Sequence, residues 1–176
     1  MSGLGNLDWQ VWTSELVAAP VAAALDAWAR AADTLVAPID PELADTAAFC
    51  ARYGVELADS ANCVVIAVRR GDVTRYAACV VLATTRADVN GIVRKRLDAR
   101  KASFAAMDDA VAHSSMEYGG ITPIGLPADW PVLIDRAVLD RQTVVIGSGL
   151  RRSKIALPSS ALVELPGAEV IEGLAG

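Results

Sequence analysis

The stretch Asn62–Thr84, NCVVIAVRRGDVTRYAACVVLAT, decides the fold. It holds two short apolar runs, NCVVIAVRR and TRYAACVVLAT, rich in β-branched residues and parted by Gly71-Asp72. Such runs flanking a two-residue glycine turn predict an antiparallel hairpin, because the turn needs positive φ and the flanking residues suit a pleated surface. The apolar, β-branched character of the two runs predicts central strands.

The residues before the hairpin read as helical. Pro20 opens a helix with Val21, Ala24, Leu25 and Trp28 at helical spacing. A second start has Asp40 as N-cap, Pro41 at the first helical position, Glu42 in the first turn and Gly54 as the stop. Residues 1–55 are therefore expected to form a helical layer on a single domain spanning 1–176. After the hairpin, RADVNGIVRKRL places Val89, Ile92, Val93 and Leu97 on one side of a helix. KASFAAMDDAVAHSSM predicts a strand ending near Phe104, then a helix with Asp108 and Asp109 near its positive end. WPVLIDRAVLD, TVVIGSGLRRSKIAL and GAEVIEG supply further strands, and PSSALVEL one or two helical turns. Strands and helices do not alternate strictly. The expected class is α+β, a mixed, partly antiparallel sheet curled towards a barrel with surrounding helices, rather than a doubly wound fold.

Composition narrows the function. The chain has 176 residues, enough to bury a core unaided; 53% are apolar and only 5% aromatic, so the interior should be Val, Leu, Ile and Ala. Three cysteines with no CxxC pair argue against a disulfide framework and a zinc site, and favour a reducing cytoplasm. No run is long and apolar enough to span a bilayer, and MSGLGNLDWQ lacks the positive region of an export signal. The net charge of −5 disfavours indiscriminate nucleic-acid binding. One stretch opposes that sign: RKRLDARK, Arg94–Lys101, carries +4, which leaves −9 for the rest. Its basic residues Arg94, Lys95, Arg96, Arg100 and Lys101 form either a solvated helix face or a strip for nucleic-acid phosphates.

The reactive inventory is poor. His113 is the sole histidine, it lies beside Ser114, and no GxSxG elbow occurs, so a Ser-His-Asp triad is disfavoured. GSG at Gly147–Gly149 lacks the lysine of a phosphate loop and reads equally as a turn. There remains the backbone of MEYGGITPIGLPADW, Met116–Trp130. Its glycines allow positive φ and close approach, and its prolines stiffen the chain around them, so it is either a long connection or a loop that aims main-chain groups at a ligand.

From ANCVVIAV to the end, the chain resembles the YbaK-like aminoacyl-tRNA deacylases, whose fold also forms the editing domain associated with prolyl-tRNA synthetase. ADVNGIVRKRL is similar to the helix after the first hairpin and RKASFAAMDDAV to the next strand and helix. EYGGITPIGLP resembles the family's glycine loop, a G-x-x-x-P pattern from Gly119 to Pro123, and VLIDRAVL and VVIGSGLRRSKIAL resemble the later strands. The resemblance implies hydrolysis of a mischarged aminoacyl ester, with Gly119, Gly120 and Pro123 forming the catalytic loop. It implies Asn62, Cys63, Ile121, Thr122, Asp135, Ser148 and Gly149 around the substrate, and Arg94, Lys95, Arg96, Arg100 and Lys101 on tRNA. The implied partner is the aminoacylated 3' end of tRNA, with a synthetase as a second candidate; no cofactor, metal or membrane is implied. One departure matters. The family's lysine at the start of the central strand is replaced here by Asn62-Cys63-Val64. Cys63 is then either a nucleophile or a small core residue, and Arg100 or Lys101 is a candidate source of the missing charge. Without the lysine, a module that binds an aminoacyl group but does not hydrolyse it is the alternative. Trp9, Trp12 and Trp28 either dock a partner or pack.

Overall fold

The computed structural model describes residues 4–176; Met1–Gly3, the beginning of the stretch read for an export signal, lie outside it. Along the chain come β1 (Gln10–Val11), α1 (Ala19–Asp26), β2 (Leu35–Pro38), α2 (Thr46–Tyr53), β3 (Ala61–Arg70), β4 (Val73–Leu82), α3 (Arg94–Arg96) and β5 (Lys101–Phe104). There follow α4 (Met107–Ser114), β6 (Val132–Asp135), α5 (Arg136–Leu139), β7 (Thr143–Gly147), β8 (Ser153–Pro158) and β9 (Ala168–Ile171).

The expected hairpin is the centre of the fold. β3 and β4 pair antiparallel from Ala61 opposite Leu82 to Arg70 opposite Val73, and Gly71 takes φ +63° in the turn. β5 joins the far side of β3 antiparallel, while β6 and β9 add parallel to β4 and to each other, giving a mixed sheet ordered β5-β3-β4-β6-β9. A second sheet, β1-β2-β8-β7, is antiparallel throughout. A bridge between Ser60 and Val145 ties the start of β3 to β7, so the sheets curl towards one another without closing.

β4 is buried along both faces from Ala77 to Leu82, as its unbroken apolar run requires. Val80 and Leu82 face the space between the sheets, with Val36, Val144, Ile146, Ile155 and Leu157 opposite and Val21 and Leu25 of α1 beside them. Cys79 and Val81 face outward, against Val89 and Val93. The outer face of the second sheet packs Val145 and Ala156 against Phe49 and Cys50 of α2. The helix expected from RADVNGIVRKRL begins as a π-helical turn, Val89–Val93, capped by the Asp88 carboxylate, which accepts from the Gly91 and Ile92 amides, and then runs into α3.

Residues 1–55 depart from the expected helical layer. They hold α1 and α2, but also β1 and β2, which extend the second sheet through β8. Leu35–Pro38 is too short for its alternation to stand out against the alanine-rich background. The helix expected from Asp40 is also split. Asp40 does cap its start, accepting from the Glu42 amide, yet the turn Pro41–Leu43 stops there. Asp45 turns extended and Lys154 takes the Ala44 carbonyl, so α2 restarts at Thr46 and ends at Gly54, φ +71°. In VLIDRAVLD the strand ends at Asp135, where an extended N-cap starts α5. Trp9, Trp12 and Trp28 are half-buried against the cores, and Trp9 Nε1 donates to the Leu4 carbonyl at 2.8 Å, so packing accounts for them.

Candidate active site

A cavity of about 510 Å³ opens where the sheets meet. Its floor is the start of β3, Ala61–Val65, and the end of β7, Val145–Gly147. One wall is Ala44–Thr46 at the head of α2, another is Phe104 to Ala110, and Tyr118, Gly119 and Ile121 of the glycine loop form the rim.

The glycine loop is held from behind by the β7–β8 connection. The Gly149 amide donates to the Gly120 carbonyl at 2.6 Å and the Glu117 amide to the Gly149 carbonyl at 2.9 Å. The Glu117 carboxylate in turn accepts from the Arg151 amide at 2.7 Å, and the Arg151 guanidinium donates to the carbonyls of Tyr118 (3.1 Å) and Pro41 (3.0 Å). Gly119 sits at φ +84° with that guanidinium where a Cβ would stand, and a Cβ on Gly120 would lie 2.6 Å from the Leu150 carbonyl. Gly119 is therefore needed for its backbone conformation and Gly120 for space.

The cavity carries charge and donors of its own. Lys154 on β8 lines it while being 7% exposed; its Nζ donates to the Ala44 carbonyl at 3.1 Å and stands 5.1 Å from the centre of the Phe49 ring. Burial, helped by the nearby Arg151, pushes the Lys154 ammonium below its ordinary pKa, against the opposing pull of Cys50 and Asp45. Asn62 accepts through its side-chain oxygen from Thr46 Oγ1 at 2.7 Å, which leaves its N–H groups for a ligand. Cys63 borders the cavity as a thiol, since burial, with Cys79 adding, drives its pKa far upward. Thiolate chemistry at neutral pH is thereby disfavoured.

Of the residues singled out from the sequence, Gly119, Ile121, Asn62 and Cys63 meet at this cavity. Gly120 lies one layer behind. Thr122 and Pro123 are buried beneath the loop, with the Thr122 amide directed at the Met116 sulfur at 3.5 Å. Ser148 is wholly buried, contacting Ser153 Oγ at 2.6 Å, and Gly149, φ +86°, packs against Ala18, so both serve the loop rather than the ligand. Asp135 is not brought to the site; it is 2% exposed, burial pushes its carboxyl above the ordinary carboxylate range, and its Oδ2 has no hydrogen-bond partner among the described residues. Arg94, Lys95, Arg96, Arg100 and Lys101 lie outside the cavity lining, and Lys101, paired with Arg69 towards the hairpin tip, does not supply its charge. Lys154, Arg151 and Thr46 were missed. The local trace of Lys154 is a lone lysine at the head of an apolar strand, which does not by itself give the direction of the side chain.

Residues 40–165 match the aminoacyl-tRNA editing domain family, a span that holds every lining residue of the cavity. The chain belongs to that family. No curated protein matches it in sequence. Among solved structures, this editing domain is similar to one described as a candidate trans-editing enzyme for prolyl tRNA synthetase, with 18% identity and a TM-score of 0.74 over 87% of this chain and 93% of the other. A hypothetical protein of known crystal structure gives 20% identity and a TM-score of 0.77 over 89% and 99%. A scaffold used for computational epitope grafting gives 19% and 0.75 over 88% and 95%. These likenesses establish the mixed α+β editing-domain fold, and among the described residues no helix is long and apolar enough to cross a membrane.

Proposed function

We propose that this editing domain is an aminoacyl-tRNA deacylase acting in trans, hydrolysing the ester that joins a wrong amino acid to the terminal ribose of a tRNA. The observation that carries the reading is the joint lining of one cavity by Gly119 and Ile121 of the glycine loop, Asn62 and two cationic side chains, Lys154 and Arg151. At about 510 Å³ the cavity has the size of a small-ligand site. Tyr118, Phe104 and Met107 at its mouth offer apolar surface to a nucleoside, and the interior admits a small amino-acid side chain. Correction of this kind has a physical reason, because a synthetase pocket separates side chains differing by one methylene by only about 1–3 kcal/mol.

Within the cavity the chain's groups hold the ester and polarise it while a water attacks, so the rate comes from positioning and charge placement rather than from a covalent intermediate. Cys63, held as a thiol, is a wall. The exposed cations of Arg94–Lys101 would lie along tRNA phosphates, with a synthetase as a further partner.

The test is loss of radiolabelled amino acid from a panel of mischarged tRNAs, including alanyl- and cysteinyl-tRNA(Pro) and seryl- and threonyl-tRNAs. Ester loss well above the spontaneous rate on at least one member is expected. Absence of loss on all of them, together with measurable affinity for a non-hydrolysable aminoacyl-adenosine analogue, would instead identify a binding module.

A further inference from the structure

The ester-hydrolysis reading leaves open which group meets the charge that develops on the carbonyl oxygen, since the strand position opposite Thr46 holds Asn62 rather than a cation. We infer that Lys154 fills this role: its ammonium binds the ester carbonyl oxygen and stabilises the oxyanion formed when water attacks.

Three observations lead there. The first is placement. Along β8, Ile155 and Leu157 point into the space between the sheets, whereas Ala156 packs against Phe49 on the opposite face. The two-residue period puts Lys154 on that second face, at the end of the strand where the cavity opens. It lines the cavity together with Asn62 and Gly119.

The second observation is incomplete satisfaction. An ammonium has three N–H donors, and Nζ uses one, on the Ala44 carbonyl. Among the described residues no carboxylate comes within 4.0 Å of it, and the ion pairs found there all lie on or near the surface. The Phe49 ring face gives some compensation. A buried cation with so little around it is costly to the fold unless a ligand oxygen completes its shell. Its lowered pKa agrees with that shortage.

The third is elimination among the site's own groups. Arg151 is tied through two of its five side-chain N–H groups to the Tyr118 and Pro41 carbonyls, which anchors it in the loop's frame, and it is less buried than Lys154. Asn62 is neutral. Arg100 and Lys101 do not line the cavity. Of the two cations that line the cavity, Lys154 is the more buried and the one not spent on shaping the loop.

The step balances without any net change at Lys154. Water oxygen bonds to the carbonyl carbon, and the carbonyl π electrons move onto oxygen, where the Lys154 N–H groups hold the negative charge. The oxyanion collapses, the bond from carbon to the ribose oxygen breaks, and that oxygen takes the proton lost by the attacking water. The products are the free amino acid and the ribose hydroxyl.

The inference rests on the deacylase reading, and the experiment separates the two. Wild type, Lys154→Gln and Lys154→Met are compared on the panel's best substrate under steady-state conditions, with thermal unfolding followed in parallel. Gln keeps an N–H for the Ala44 carbonyl and removes only the charge, so it tests the chemistry even where Met disturbs the fold. In both variants kcat should fall about 100- to 1000-fold, the range for removing one oxyanion donor, while KM stays within about threefold and the melting temperature is unchanged or higher. A folded Lys154→Gln protein that keeps kcat within about threefold overturns the assignment. A wild type that hydrolyses no ester overturns the deacylase reading, and the role of Lys154 with it.

Discussion

As single residues, Gly119 and Cys63 define what the site is made of. Gly119 combines φ +84° with the Arg151 guanidinium against its α-carbon. Gly119→Ala should therefore cost about 1–3 kcal/mol of stability in a denaturant titration, because it meets both left-handed backbone strain and a displaced arginine. It should also slow ester hydrolysis. Cys63→Ala should behave oppositely, with activity kept within about twofold and iodoacetamide at pH 8 leaving the wild type active, since a thiol raised so far is no nucleophile. Loss of activity on alkylation would return Cys63 to the chemistry. The glycine was legible in the sequence, because only a few backbone conformations call for it. Lys154 was not, since nothing local says that a lysine on a strand points inward, and the Ala44 carbonyl and Phe49 ring that surround it come from more than a hundred residues away.

Among the elements, the glycine loop works because the β7–β8 connection grips it. Arg151 joins Tyr118 and Pro41, so one side chain ties the loop, the Pro41–Leu43 turn and the β7–β8 connection into a single frame. Arg151→Met should raise KM and lower kcat together, by about tenfold in their ratio, as a loosened frame misplaces the ester; steady-state deacylation kinetics measure this. Unchanged kinetics would mean that the loop holds its shape without the arginine. The hairpin, α4 and the strand after the loop were legible because their apolar periods run for several residues and Gly71-Asp72 marks the turn. β1 and β2 were not legible, for they are short and acquire strand character only by pairing with β8. Asp135 shows the same limit. Its sequence neighbourhood matches a site residue, but its side chain is buried at the junction of β6 and α5, outside the cavity lining.

For the whole molecule, charge and shape divide the labour. The cavity lies at the start of β3, and the basic strip crosses the outer face of the same sheet, from Lys101 opposite Arg69 to Arg96 beside Glu169 of β9. Within the strip, Arg96 pairs with Glu169 and Arg94 donates to the Asn90 carbonyl, while among the described residues Lys95, Arg100 and Lys101 have no side-chain partner. tRNA affinity should accordingly fall steeply as salt is raised, and Lys95→Gln/Arg100→Gln/Lys101→Gln should flatten the slope of log K against log salt by about 2–3. A filter-binding titration with unchanged slope would place the tRNA elsewhere. The proposed function turns on hydrolysis at the glycine-loop cavity. Single-turnover loss of the amino acid from the best mischarged tRNA, wild type against Gly120→Val, isolates that step, because the added side chain must push the loop off Leu150. Rapid ester loss in the wild type and a rate at the spontaneous background in a folded Gly120→Val protein are predicted; equal rates in the two proteins would mean that the ester is not cut in this cavity.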